Sequence, residues 1–304
     1  LAALPAPLRL RGLSIAHCPR LRSQFVARLL AAPLLGSVTH LNVGNTPCGQ
    51  RVAQAVSHSP WLDRLEVLTL GHGQASNVGA VMLARAARLR ALRRLTVWSW
   101  GIGPPGAAAL ATAPWAGGLE TLDLGFNPLT PAGWKALAPL VHGSLRRLGL
   151  ARTRQGTSAV LSGLELPPHL VTLDLNANAL DPAGLAALLP ALTSLEQLAD
   201  LRLDDNALGD EGARLLAASP VARRLRRLDL GRNGITEEGL GALLDALGPG
   251  RLTEFRLYNN DLGPAGLRLV DDWPARECLA TLLVQGNNAL EAEGELGHFW
   301  GSEM

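Results

Sequence analysis

The sequence predicts an α/β solenoid, a curved horseshoe with a parallel sheet on its concave side and helices on its convex side. Three observations predict it. The pattern L-x-x-L-x-L-x-x-N is clean at Leu119/Leu122/Leu124/Asn127, Leu170/Leu173/Leu175/Asn178, Leu198/Leu201/Leu203/Asn206 and Leu225/Leu228/Leu230/Asn233, and recurs at Leu252/Phe255/Leu257/Asn260. Weaker copies begin at Leu10, Val38, Leu65, Leu92, Leu145 and Leu279, giving eleven repeats at steps of 25 to 28 residues, usually 27. Repeats this short bury a core only by stacking on their neighbours. Finally, 47% of the residues are apolar and only 4% aromatic, so the core must be built from Leu, Ala and Val.

Each repeat reads as one strand, one turn and one helix. With the first Leu as position 1, positions 4 and 6 point inward and positions 3, 5 and 7 outward, because strand side chains alternate. The position-9 Asn of six repeats (Asn127, Asn178, Asn206, Asn233, Asn260 and Asn287) is expected to satisfy buried backbone groups of its own turn and of the next repeat. An apolar residue at position 11 precedes the helix. Thr130-Pro131, Asp181-Pro182 and Gly263-Pro264 then predict an N-cap before a first-turn proline, and Thr236-Glu237-Glu238 places acids at a positive helix end. Glycine at position 15 of seven repeats, among them Gly79, Gly184 and Gly239, opposes helix propensity and points to close packing. Apolar spacing over Leu185 to Leu192 and Leu240 to Leu247 predicts helices of about three turns. Proline followed by a bulky residue, as at Pro60-Trp61, Pro114-Trp115 and Pro220-Val221, returns the chain to the next strand.

The motif, the 27-residue period and the full helices resemble the ribonuclease-inhibitor-like subfamily of leucine-rich repeat proteins, which also includes the Ran GTPase-activating protein. The resemblance covers nearly the whole chain and is specific for fold, since the consensus residues are those that build the solenoid. Residues 10–290 are read as the array. Residues 1–9 are expected to be the tail of a preceding repeat or an N-terminal cap, because Pro5 keeps the return-turn register relative to Leu10, and sequence is expected upstream of Leu1. Residues 291–304 are expected to be a C-terminal cap or tail, with Glu291, Glu293 and Glu295 solvated and His298, Phe299 and Trp300 either folding back or continuing onward.

Charge and composition exclude several functions. A net charge of +2, from 28 basic and 26 acidic residues, offers no field for nucleic acid or an acidic membrane. Only one of the basic residues, Lys135, is a lysine, a skew attributed to a GC-rich genome, expected to be bacterial. Three scattered cysteines form no zinc pattern and suit a reducing, cytoplasmic setting. The chain has no 18-residue apolar run and no signal-type start, and it is expected to be a monomer. Catalytic triads, phosphate loops and dinucleotide signatures are absent in the required strand-to-helix context; Gly101-Ile102-Gly103 is turn chemistry. Neither cofactor nor metal is expected.

Function is therefore sought on positions 3, 5, 7 and 8, which line the concave side. Repeats one to three are small and without fixed charge there; repeats four and five add Trp98 and Phe126; from repeat six the face is charged. Seven Arg and seven acids at these positions suit a patterned protein partner. Trp98, Phe126, Arg152, Arg232 and Tyr258 are residue types that become interface hot spots, and Asp204 and Asp205 join them as the partner-binding set. Asp174, Arg202, Asp229 and Arg256 alternate at position 5 and are expected chiefly to pair along the sheet, with partner binding second. Trp61, Trp115, Trp134 and Trp273 are read as packing residues. Trp100, at the Asn position of repeat four, is expected to distort its turn and marks either a patch with Trp98 or a degenerate repeat. Cys18 and Cys48 are read as core thiols. His17, His40 and His72 lie too far apart to share a metal. The expected function is a non-catalytic scaffold binding a protein on the concave face. The alternatives are a regulator such as a GTPase-activating protein, for which no catalytic motif carries over, and the sensor module of a larger protein.

Overall fold

The computed structural model describes residues 10–287 except 19, 21, 47–48, 154–162 and 249–250. The expected terminal segments, 1–9 and 291–304, and Cys48 lie outside the described residues. Eleven short strands form one parallel sheet in strict chain order: β1 (Gly12–Ser14), β2 (His40–Val43), β3 (Val67–Gly71), β4 (Arg94–Trp98), β5 (Thr121–Asp123), β6 (Arg147–Gly149), β7 (Thr172–Asp174), β8 (Asp200–Arg202), β9 (Arg227–Asp229), β10 (Glu254–Arg256) and β11 (Thr281–Leu283). Among the described residues the helices are α1 (Ser23–Leu30), α2 (Gly49–His58), α3 (Ser76–Ala84), α4 (Pro104–Ala111), α5 (Thr130–Lys135), α6 (Pro182–Ser194), α7 (Gly209–Ala218), α8 (Glu237–Leu247) and α9 (Gly263–Asp271). Helices need about 10 Å of lateral room and strands about 4.8 Å, so the stack bends with the sheet inside.

The register is the one the repeat dictates. Position 4 pairs with position 4 across the whole sheet, from Leu13 through Leu41, Leu68, Leu95 and Leu122 to Leu228, Phe255 and Leu282. This ladder and its position-6 companion are buried from β2 to β10, and only partly buried at the first and last strands, which have a described neighbour on one side alone.

The asparagine ladder runs opposite to the expected direction. Asn127 Oδ1 accepts from Trp100 N–H at 2.9 Å and Ile102 N–H at 3.0 Å, both in the preceding repeat, while its Nδ2 donates to Leu124 and Val97 carbonyls. Asn206 and Asn260 do the same one repeat behind them. Each turn is therefore clamped by the repeat that follows it. Thr46 and Thr153 keep the bond to their own position-6 carbonyl with a hydroxyl. Trp100 does not distort its turn: Asn127 still holds it, and the indole is buried beside Gly73 and Gly79 of the preceding repeat. It forms no surface patch with Trp98.

Other packing expectations divide. Trp115, Trp134 and Trp273 are buried; Trp134 Nε1 donates to Thr153 Oγ1 at 3.1 Å, and Trp273 meets Phe255 edge-on. Trp61 is 36% exposed and is anchored by its Nε1 donating to Ala31 O. Cys18 is exposed and not a core thiol, because β1 is an outermost strand of the described sheet. The position-15 glycines do mark close packing: a Cβ at Gly212, Gly133 or Gly266 would stand 2.7 to 2.9 Å from Cβ of the position-11 leucine below it. Asp181 is a side-chain cap as expected, and Thr236 caps α8 ahead of the acids of its first turn. Thr130 and Gly263 are not, being the left-handed first residues of α5 and α9 after uncapped Leu129 and Leu262.

Candidate partner-binding face

Position 8 ends each strand in the left-handed region. His17, Asn45, His72, Ser99, Phe126, Arg152, Ala177, Asp205, Arg232 and Asn259 all have φ between 50° and 60°, and Gly286 completes the column. Non-glycine residues enter this region at a cost. The reward is geometric: the side chain is turned along the sheet, across the strands, toward its neighbours in adjacent repeats.

Side chains of position 8 and of the neighbouring position 7 bring the expected site residues into two groups. In the first, His72 and Trp98 meet edge-on with ring centroids 4.2 Å apart, Trp98 and Phe126 follow at 5.8 Å, and Arg152 Cζ lies 5.4 Å from the Phe126 centroid. Arg152 then reaches across small Ala177 to Asp205, at 3.6 Å. In the second, Arg232 lies 5.3 Å from the Tyr258 ring centroid and 3.5 Å from Asp204. Burial and the adjoining Asp204 push the Tyr258 hydroxyl pKa upward, so it stays a neutral phenol. Phe126, 48% exposed, is the apolar high point of the row. The row also includes His72, which sequence reasoning placed only on the face. A further signal was available: Gly71 and Gly231, at position 7 of the preceding repeats, have no side chain where the Trp98 and Tyr258 rings lie.

The charged repeats pair internally. Arg202 bridges Asp200 at 3.1 Å and Asp174 at 3.8 Å, Arg227 lies 3.7 Å from Asp200 and 3.8 Å from Glu254, and Arg256 is 3.6 Å from Asp229. The hydrogen bonds that Arg202 donates to Asp200 raise the Arg202 pKa, while burial raises those of Asp174 and Asp229. The three acids of repeat eight therefore find four arginines: Asp200 with Arg202 and Arg227, Asp204 with Arg232, Asp205 with Arg152. Among the described residues no group of three His, Cys, Asp or Glu side chains is arranged to hold a metal, and no helix is long and apolar enough to cross a membrane. His17 bonds Asn45, His40 bonds Thr39 and His72 packs on Trp98, three separate environments.

A repeat of this geometry is also what comparison with known proteins finds. The family model described as Leucine Rich repeat matches residues 119–138, 167–189, 198–217 and 223–244. The chain is a leucine-rich repeat protein. Its relatives place it with the ribonuclease-inhibitor-like type. It is 38% identical to the ribonuclease inhibitor of Sus scrofa over 164 residues, which cover 51% of this chain and 36% of the inhibitor. It is 32% identical to human leucine-rich repeat-containing protein 73 over 192 residues, 59% of this chain and 58% of that protein. Human Protein NLRC5 is 34% identical over 148 residues, 47% of this chain but 8% of the relative. The chain thus spans less than two thirds of each of these relatives. A solved structure of the yeast Rad7 and Elc1 complex superposes with a TM-score of 0.54 at 16% identity, covering 96% of this chain and 80% of that one, a likeness of fold.

Proposed function

We propose that this leucine-rich repeat chain is a non-catalytic scaffold that binds a protein partner on its concave face. The observation that carries this reading is the row His72–Trp98–Phe126–Arg152, four consecutive repeats whose outward side chains stack on one another and present aromatic and guanidinium surface. Such residues dominate binding energy when a partner covers them. The fold's use in relatives supports an interaction role, and the small share of NLRC5 that is matched favours a second reading, in which the array is the recognition module of a larger protein.

A photocrosslinking residue at Phe126 should capture the partner in cells, and one at Val78, on α3 in the helix layer and 50% exposed, should not. Alanine at Trp98, Phe126 or Tyr258 should weaken capture by about tenfold or more while moving the melting temperature little, as expected for hot-spot truncation. Equal capture at both positions, or alanine variants that bind normally, would sink the concave-face reading.

A further inference from the structure

Two charge columns run across the concave sheet, and both break in the same place. At position 5, Asp174, Arg202, Asp229 and Arg256 stand side by side in register with alternating sign. Upstream the alternation fails: Asp123 and Asp174 flank Gly149, each paired in register with it, so two carboxylates border a neutral step. At position 3, Arg227 lies in register between Asp200 and Glu254 and bonds both, a closed acid–base–acid triplet. Upstream the same column reads Arg94, Thr121, Arg147, again in register, with two cations bordering a neutral step.

Three of the four charged groups at these breaks, Arg94, Arg147 and Asp123, enter no ion pair among the described residues, and the fourth, Asp174, meets Arg202 at 3.8 Å. Arg94 and Arg147 are exposed. Asp123 accepts a hydrogen bond from Gly125 N–H at 2.9 Å, which turns its carboxylate toward the far end of the strand and away from both arginines. It leans over Gly149, where an added Cβ would stand 2.8 Å from its Oδ1. Burial raises its pKa with no cation acting against it, whereas Asp174 has Arg202.

We propose that the protein partner completes both columns, seating an acidic side chain over Thr121 between Arg94 and Arg147 and a basic side chain over Gly149 against Asp123 and Asp174. This rests on the concave-face reading above and specifies the partner's chemistry. Thr121 and Gly149 lie one strand and two residues apart, about 8 Å, within reach of two neighbouring side chains of one segment. Opposite charges at that spacing reject a phosphate backbone, which needs a stripe of one sign. A protein surface supplies both, and Phe126 and Trp98 beside the breaks offer its apolar contact. The downstream triplet shows the geometry working within this chain.

The test pans a phage-displayed random-peptide library against the full chain. Enriched peptides should carry an acidic and a basic residue close together. Their binding should fall by about tenfold or more in the Arg94→Gln/Arg147→Gln variant, as for loss of a close charge pair, and hold in Arg64→Gln/Arg90→Gln, which removes equal charge from the return turns. Thr121→Glu should close the position-3 column from within, raising the melting temperature above that of Thr121→Gln and blocking the peptides. If enriched peptides ignore Arg94, Arg147 and Thr121→Glu but are lost in Phe126→Ala, the charge assignment is overturned and concave-face binding stands. If no peptide is enriched, or binding survives every concave substitution, both are overturned.

Discussion

Asn206 shows how much one side chain carries in this chain. Its Oδ1 accepts from the backbone N–H of Asn178 and Leu180 at 3.0 and 2.9 Å, and its Nδ2 donates to Leu203 and Leu175 carbonyls at 2.8 and 3.2 Å. Removing it leaves those buried groups unmet, so Asn206→Ala should cost about 3 kcal/mol or more in urea unfolding, the sum of several lost bonds. Asn206→Thr should cost less, since Thr153 shows that a hydroxyl keeps the link to the position-6 carbonyl. Equal losses for the two variants would argue against the bridging role. Asp123 gives the opposite sign. Its carboxyl pKa is raised in the folded chain, so the ionised form opposes folding, and that penalty is fully present at neutral pH. The penalty is relieved as pH falls through the raised value toward the ordinary one. Asp123→Asn keeps the acceptor for Gly125 N–H and should therefore melt higher than the parent at neutral pH, with the gap closing in acid; a gap that widens in acid would refute the account.

At the scale of the element, the helices begin in two ways. Before α4, α6 and α8 the left-handed residue is at position 10 (Gly101, Ala179, Gly234), and an extended residue at position 12 precedes the helix. At α3, α5, α7 and α9 the left-handed residue is at position 12 (Ser76, Thr130, Gly209, Gly263) and position 11 is already helical. The second kind can cap the first from one repeat earlier. Asp210 of α7 accepts from Thr236 N–H and Gly239 N–H with Oδ1 at 2.8 and 3.1 Å, and from Thr236 Oγ1 with Oδ2; Asn77 of α3 serves Gly103 and Gly106 likewise. Asp210→Ala should cost about 2 kcal/mol and speed amide exchange at the start of α8 in particular; faster exchange confined to α7 would contradict the shared cap. The repeat, its strand register and the glycine contacts were legible in the sequence because apolar period and Gly spacing determine them locally. The two helix starts were not. Thr130-Pro131 and Asp181-Pro182 look alike as strings, yet Thr130 takes φ 58° while Asp181 stays extended. The site residues were legible as a face. Their linkage into rows was not, since it joins position-8 side chains on left-handed turns to position-7 side chains of other repeats.

For the whole molecule, a net charge of +2 conceals a strong separation. Among the described residues, 10–150 carry 14 basic and 4 acidic side chains, and 151–287 carry 12 and 18. Across eleven strands at about 4.8 Å the halves are centred about 25 Å apart, while the screening length is about 10 Å at 0.1 M salt, so the two halves act on solutes nearly independently. The small net charge thus hides a dipole along the solenoid, and a partner of matching polarity would arrive already aligned with the concave columns. Despite its small net charge the purified chain should bind both a cation exchanger and an anion exchanger at neutral pH and low salt, and leave each as salt rises. A molecule of +2 with evenly spread charge would pass through the anion exchanger, and that result would remove the dipole. Evening out the two halves without changing the total, by exchanging some surface Arg for Glu in the first half and an equal number of Glu for Arg in the second, should abolish retention on the anion exchanger while the melting temperature stays close to the parent's, because these exposed side chains contribute little to folding.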